Sequence, residues 1–424
     1  MKEDFLHYLW KFGKFQKTNL CTASGEDVII YAVGEHNDNS GPDFFNSKLL
    51  IGDQLWAGNV EIHLKSSDWY LHNHEKDSRY NNVILHVVWE HDIEVFRSDE
   101  TVIPTLELQH FTDVSFLDTY TNFIEKKRSF VLCENAIETI DEFLITHWKD
   151  QLFVKRLEHK TVLLLEELKN SNNDWETVLF KILLKNFGLK VNGQSFYEIS
   201  QVLDFKIIRK VREESEVLES LFFGCAGLLE ETEVQDGYHE VLKHHFDYLQ
   251  KKYIHLKITP VKPLFFRLRP ANFPTIRLSQ IAQLYHKHAS LFATLMEARS
   301  VDEFYKIFDV GVADYWKYHY TWNKKSAFHQ KRLTRGFIDL LIINTIIPLK
   351  FCYRKAMGFE EYSDILNLIS SLTPEKNSIV EKFRKLGVSS KSALESQAIL
   401  QLYNGYCQHK KCLECAIGNQ LLTH

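Results

Sequence analysis

The sequence predicts an α+β chain, with an N-terminal αβββαββ domain over residues 1–120 and a larger all-α domain over residues 121–424. Three observations predict it. Hydrophobic periodicity alternates every second residue in the first part and recurs at helical spacing from about residue 140 onward. Charge divides the same way. Residues 1–120 carry 9 Lys and Arg against 20 Asp and Glu, a balance of −11, and the remainder carries +6 of the total of −5. Composition is that of a globular protein, 45% hydrophobic and 25% charged with 17 Gly and 8 Pro. That excludes a disordered or collagen-like chain and leaves little material for long flexible linkers. The length fits two or three domains, and the net negative charge excludes a uniformly basic nucleic-acid coat.

The elements follow in order. Residues 4–14 (DFLHYLWKFGK) place apolar side chains at helical spacing. After Gly25, Val28 to Val33 is a β-branched and aromatic run. Phe44 to Ile51 and Gln54 to Leu64 flank Gly52-Asp53, a hairpin turn signal. Asp68 to Tyr80 is polar and helix-compatible. Val83 to Trp89 (VILHVVW), Ile93 to Phe96 and Val102 to Leu108 read as further strands. Helical patterning then covers 141–169, 176–187, 215–230, 238–252, 277–298, 330–349, 376–386 and 390–406, with loops at 170–174 and 260–274. No fixed-period repeat or low-complexity tract interrupts it. No signal-peptide pattern follows Met1, and runs such as Leu340 to Leu349 are too short to span a bilayer, so a cytoplasmic protein without a membrane partner is expected. Seven cysteines in so long a chain do not suggest a disulfide framework.

Candidate chemistry concentrates in the acidic part, which also holds 8 of the 20 His. Asp43, in Gly41-Pro42-Asp43-Phe44, opens one predicted strand. Glu61 and His63, two residues apart on the next, share a face. Two carboxylates converging there repel each other unless a cation or proton lies between them, and hard oxygen donors suit Mg²⁺ or Mn²⁺. Glu35, Asp38 and Asn39 offer further oxygen donors nearby.

The arrangement resembles the PD-(D/E)XK nuclease superfamily, whose pattern is an Asp at one strand and Glu-x-Lys on the next within an αβββαβ core. Asp43 and Glu61 match the acidic positions, whereas His63 stands where the superfamily has Lys. Lys65, further along the same face, is the substitute available in space. The resemblance implies a metal-dependent nuclease. In it Asp43 and Glu61 hold the cation, His63 and Lys65 orient the water, and His72 and His74 lie where the helix meets substrate. A second arrangement, a cupin-like metal site of Glu61, His63, His74 and His86, lacks the cupin order of closely spaced histidines before the Glu. His72 and His74 with Asp77 also form a candidate transition-metal set, and His86, inside an apolar strand, reads as a core histidine.

Two further motifs lie in the helical part. Phe265 to Leu278 (FFRLRPANFPTIRL) interleaves Arg267, Arg269 and Arg277 with Phe and Pro. Planar guanidinium forks suit phosphate, so nucleic acid is the expected partner, and carboxylates between helices are the alternative. The tail, Tyr406 to Gly418 (YCQHKKCLECAIG), spaces Cys407, Cys412 and Cys415 as C-x4-C-x2-C. Such thiols ligate Zn²⁺ or an iron–sulfur cluster, with His409 or Cys352 as the fourth ligand. Read together, GPDF, GNVEIHLKSSDW, HNHEKDSRY, VILHVV, RLRPANFPTIRL and YCQHKKCLECAIG resemble the uncharacterised bacterial family catalogued as domain of unknown function 2851, along nearly the whole chain. That resemblance implies no activity. The expected function is metal-dependent hydrolysis of DNA or RNA phosphodiesters, with a non-catalytic binding or scaffold protein as the alternative.

Overall fold

The computed structural model describes residues 2–37, 40–113, 117–118, 120–121, 129–230, 234–253 and 261–423. Contacts divide the chain into two compact units, Met1–Trp148 with Leu402–His424, and Lys149–Gln401. The boundary expected at residue 120 is therefore displaced, and the tail returns to the first unit. Packing explains both. Leu132 and Leu422 are buried in the same apolar core as Phe5, Val60 and Leu106. Phe130 stacks on Tyr403 at 5.0 Å, and Trp148 meets Tyr406 edge-on at 5.5 Å.

The first unit opens with α1 (Glu3–Phe12), which Gly13 ends in the left-handed conformation at φ 58°. Its sheet comprises β1 (Val28–Ala32), β2 (Glu35–His36), β3 (Phe44–Ile51), β4 (Gln54–Lys65), β5 (Val83–Glu90) and β6 (Thr105–Glu107). The strand order is β1-β3-β4-β5-β6, with β2 beside β3. β1, β3 and β4 pair antiparallel, whereas β4–β5 and β5–β6 are parallel. A parallel neighbour needs a crossover, and residues 66–82 supply it.

Pleating sends Val60 and Ile62 of β4 into the core beneath Phe5, Leu6, Leu9 and Trp10 of α1. The opposite face meets a second buried cluster of Trp69, Tyr80, Val83, Val95 and Ile103. Both faces of β4 are thus covered from Gly58 to His63. Gly58 permits the close β4–β5 approach, since a Cβ there would stand 2.4 Å from Ile84 Cγ2 and 2.7 Å from the Asn82 carbonyl oxygen.

Two local expectations change. Residues 68–80 form a short helix, α2 (Asp68–Leu71), then two single 3₁₀ turns, His74–Lys76 and Ser78–Tyr80. Asn73, at φ 60°, breaks the helix, and the Asp77 carboxylate caps the second turn by accepting from the Arg79 N–H. The run at 93–96 forms no extended strand and contributes only an isolated bridge, Phe96 to Val102.

Among the described residues the second unit is helical with one small hairpin, His319–Thr321 with Lys324–Lys325. Its helices include Trp175–Phe187, capped by the Asp174 carboxylate on two backbone N–H groups, a contact worth about 1 kcal/mol. Leu189–Val202 and Phe205–Val211 are helices that periodicity does not announce. The apolar run at 340–349 belongs to a longer helix, Arg335–Ala356, interrupted by a π turn at Ile342–Ile346. By length and composition that helix could cross a membrane, but 72% of its most apolar window is buried within the protein. Core packing accounts for its apolarity.

Candidate functional site

The site grows from the junction of β3 and β4. Asp43 immediately precedes β3, whose register against β4 pairs Phe44 with Val60 and then shifts before Ser47. The Asp43 N–H donates to Glu61 Oε2 at 3.1 Å, and Asp43 Oδ2 accepts from the Ile62 N–H at 2.9 Å. The two carboxylates are thereby fixed beside each other by the backbone. From α1, His7 Nε2 approaches Asp43 Oδ2 at 3.3 Å. Asn37 closes the preceding loop, donating its N–H to the Asp43 carbonyl (2.8 Å) and its side-chain amide to the Pro42 carbonyl (3.0 Å).

Because Val60 and Ile62 take the core face, Glu61 and His63 both project from the other. The parallel register sets His86 of β5 opposite Glu61. His63 Nδ1 lies 2.8 Å from His86 Nε2, and His63 Nε2 lies 3.0 Å from His72 Nδ1. Glu61 Oε1 stands 3.2 Å from His74 Nε2 and 3.6 Å from His63 Nε2. One donor nitrogen from each of His63, His72 and His74 lies within 4.8 Å of the others. Ligands around a tetrahedral ion at about 2.0–2.1 Å stand about 3.3–3.4 Å apart, so little movement separates these side chains from a coordination shell.

The rings are held from behind. His74 stacks on Tyr80 at 3.8 Å, and Trp69 packs against His74 and His86 while donating its indole N–H to the Phe96 carbonyl at 3.1 Å. Burial falls along the chain of imidazoles, from His86 and His63, both buried, through half-buried His74 to exposed His72. The site therefore opens to solvent at His72.

The electrostatics favour a cation. Burial, reinforced by the Asp43 charge, pushes the Glu61 carboxyl up to about 9, so without a cation it holds a proton at neutral pH. Burial and the neighbouring imidazoles push His63 far down. Burial takes His86 to about 3 and also lowers His74. These rings are neutral and keep a lone pair for a metal. Burial also raises the Glu3 carboxyl, with opposing contributions from His7 and Asp43. For His7, burial is outweighed by the Asp43 hydrogen bond and charge, and its pKa rises.

The structure brings Asp43, Glu61, His63, His72 and His74 together and leaves other candidates outside. Lys65 pairs with Glu90 at 3.1 Å, half-exposed at the strand end. It is not the substitute for the missing lysine. Glu35 is exposed on β2, and Asp38 and Asn39 lie outside the described residues. Asp77 is engaged by the Arg79 guanidinium, at 2.9 Å from Nε to Oδ2. In the second unit, Arg267 and Arg269 are exposed. Arg277 is instead buried, donating to Gln280 Oε1 (2.9 Å) and Asn272 Oδ1 (2.6 Å) with its guanidinium 3.5 Å from the Phe337 ring centroid. Those bonds make Arg277 a packing residue rather than a phosphate ligand. At the tail, Cys407, Cys412 and Cys415 gather around one cavity, while His409 is exposed and Cys352 is buried in the second unit.

His7, Glu3 and Cys133 escape the sequence reading. The i, i+4 pairing of Glu3 and His7 on α1 was the available signal for two of them. Cys133 carries no local signal. A family model described as a protein of unknown function (DUF2851) matches residues 3–378, so the match ends before the cysteine tail. No curated protein and no solved structure matches the chain.

Proposed function

The chain belongs to the DUF2851 family, and from that premise we propose that its first unit is a divalent-metal-dependent phosphodiesterase of the nuclease type. One observation carries the reading: Asp43 and Glu61, tied by a 3.1 Å hydrogen bond from the Asp43 backbone N–H to the Glu61 carboxylate, meet on a face lined by His63, His72 and His74. The succession of α1, three antiparallel strands, a crossover and parallel strands is further support, because it follows the element order of the PD-(D/E)XK superfamily, with His63 in the lysine position.

The donor set fits a metal, with oxygen from Asp43 and Glu61 and nitrogen from the histidines. Imidazole donors favour Mn²⁺ or a softer ion over Mg²⁺. A metal bound there would acidify a water and neutralise phosphoryl charge. His86 Nε2 holds the His63 ring in orientation through His63 Nδ1, and His7 braces Asp43. His72, exposed and with its Nδ1 3.0 Å from His63 Nε2, is the member of the site that faces solvent. The acidic unit repels phosphodiesters until cations compensate it, which makes substrate binding metal-dependent.

The test is cleavage of single- and double-stranded DNA and RNA with Mg²⁺ or Mn²⁺, comparing wild type with Asp43→Ala and Glu61→Ala. Activity confined to the wild type supports the proposal, and equal activity in all three proteins overturns it. The unit's charge of −12, from 14 Lys and Arg against 26 Asp and Glu, favours the alternative, a non-catalytic binding protein. Metal binding at these residues without any cleavage would select it.

A further inference from the structure

A second site lies in the same unit, and its assignment does not depend on the hydrolase reading. Cys133 joins Cys407, Cys412 and Cys415 around one small cavity, whose other walls include Leu132, Tyr406 and Ile417. Among the described residues the seven cysteines form no disulfide. The local backbone presents the thiols. Cys412 to Glu414 is a single 3₁₀ turn, and the Cys415 N–H closes it onto the Cys412 carbonyl at 3.2 Å. Cys407 ends a π turn, and Lys410, at φ 55°, reverses the chain between the two. Gly418 lets the final helix close on this turn, since a Cβ there would lie 2.1 Å from the Cys412 carbonyl oxygen.

We propose that Cys133, Cys407, Cys412 and Cys415 ligate an iron–sulfur cluster, with Cys133 as the fourth ligand in place of His409 or Cys352. Four thiols and no imidazole suit either a cluster or one tetrahedral zinc, and their wide spacing favours the cluster. Thiolates on one tetrahedral zinc at about 2.3 Å stand about 3.8 Å apart. Among the described residues it is the histidines, not the cysteines, that form a group with all donor atoms within 4.8 Å. The electrostatics agree. Burial and then the neighbouring cysteines push the Cys412 thiol up to about 12 and Cys407 higher still, a penalty that a cationic core removes. The cluster would join residue 133, before the chain enters the second unit, to residues that follow its return.

The experiment uses the full chain purified without oxygen or chelator and reconstituted with ferric iron, a thiol reductant and sulfide. The expected result is iron and acid-labile sulfide in equal amounts with broad visible absorption. Both should be lost in Cys133→Ser and Cys412→Ser and kept in Cys225→Ser and His409→Ala. Stoichiometric zinc without sulfide, no metal at all, or a cluster that survives Cys133→Ser would overturn the assignment. If a ligand variant fails to fold, X-ray absorption of the wild type decides. An all-sulfur iron shell with an iron–iron distance supports the cluster, and a mononuclear or nitrogen-containing shell overturns it.

Discussion

Replacing Glu61 by Gln in metal-free protein removes a titration while keeping shape. Glu61 is buried, accepts from the Asp43 N–H at 3.1 Å and has its carboxyl raised from 4.5 to about 9. The folded state therefore holds its proton more tightly than the unfolded chain. Its contribution is fully present below pH 4.5 and is lost as pH rises toward 9. At pH 7 the difference is about 2.5 units at 1.36 kcal/mol each, or roughly 3 kcal/mol of destabilisation as an upper bound. A neutral amide escapes it. In chelator, wild type should lose stability relative to Glu61→Gln between pH 5 and 8, so that the variant is the more stable at pH 8. Hydrogen exchange of peptides from β4 and β5, read as local unfolding free energy, measures this without interference from the second unit. Mn²⁺ should then stabilise the wild type and leave the variant unmoved. If both proteins show the same pH slope in chelator, the description of Glu61 as a carboxyl awaiting a cation is wrong.

Other expectations follow from particular contacts. Lys65→Ala should leave Mn²⁺-dependent cleavage unchanged and cost under about 1 kcal/mol in thermal unfolding, because the exposed pair with Glu90 contributes little. A tenfold loss of kcat would return Lys65 to the site. Gly58→Ala forces Ile84 and the Asn82 carbonyl away from positions 2.4 and 2.7 Å from the new methyl, and should cost about 1–3 kcal/mol by denaturant titration. A neutral result would show that β5 moves freely. Lys160 is partly buried, and desolvation first and then Arg156 push it down to about 7. Stability of the second unit should therefore fall as pH drops from about 10.5 toward 7 and level off below 7, and Lys160→Met should abolish that fall in pH-dependent melting curves. Trp69→Ala should cost about 3–5 kcal/mol, and it should weaken Mn²⁺ affinity measured by calorimetry because His74 and His86 lose their backing.

Much of the site was legible because β-strand alternation is local. Glu61 and His63 had to share a face once residues 54–64 were read as a strand, and Pro42-Asp43 marked the neighbouring strand's start. The long strands and helices of strong period were legible for the same reason. Less visible was what depends on the return of the chain. Nothing near Cys133 points to residues beyond 400, and the displaced boundary at Trp148 arises from aromatic contacts across that separation. Lys65 misled because shared parity does not reveal a partner on the next strand, here Glu90. Arg277 misled because a guanidinium sequence motif looks the same whether it meets phosphate or stacks on a buried phenyl ring.

The first unit is interrupted by the whole of Lys149–Gln401. On the ribosome its sheet, with α1 and every strand, emerges early, yet Leu422 and the thiols after Leu402 are made only after the second unit has been synthesised. The second unit has all its own contacts as soon as it is complete and can fold first, whereas the first must wait with apolar surface uncovered. The earliest-made part of this chain can thus be completed only after the inserted unit has been synthesised.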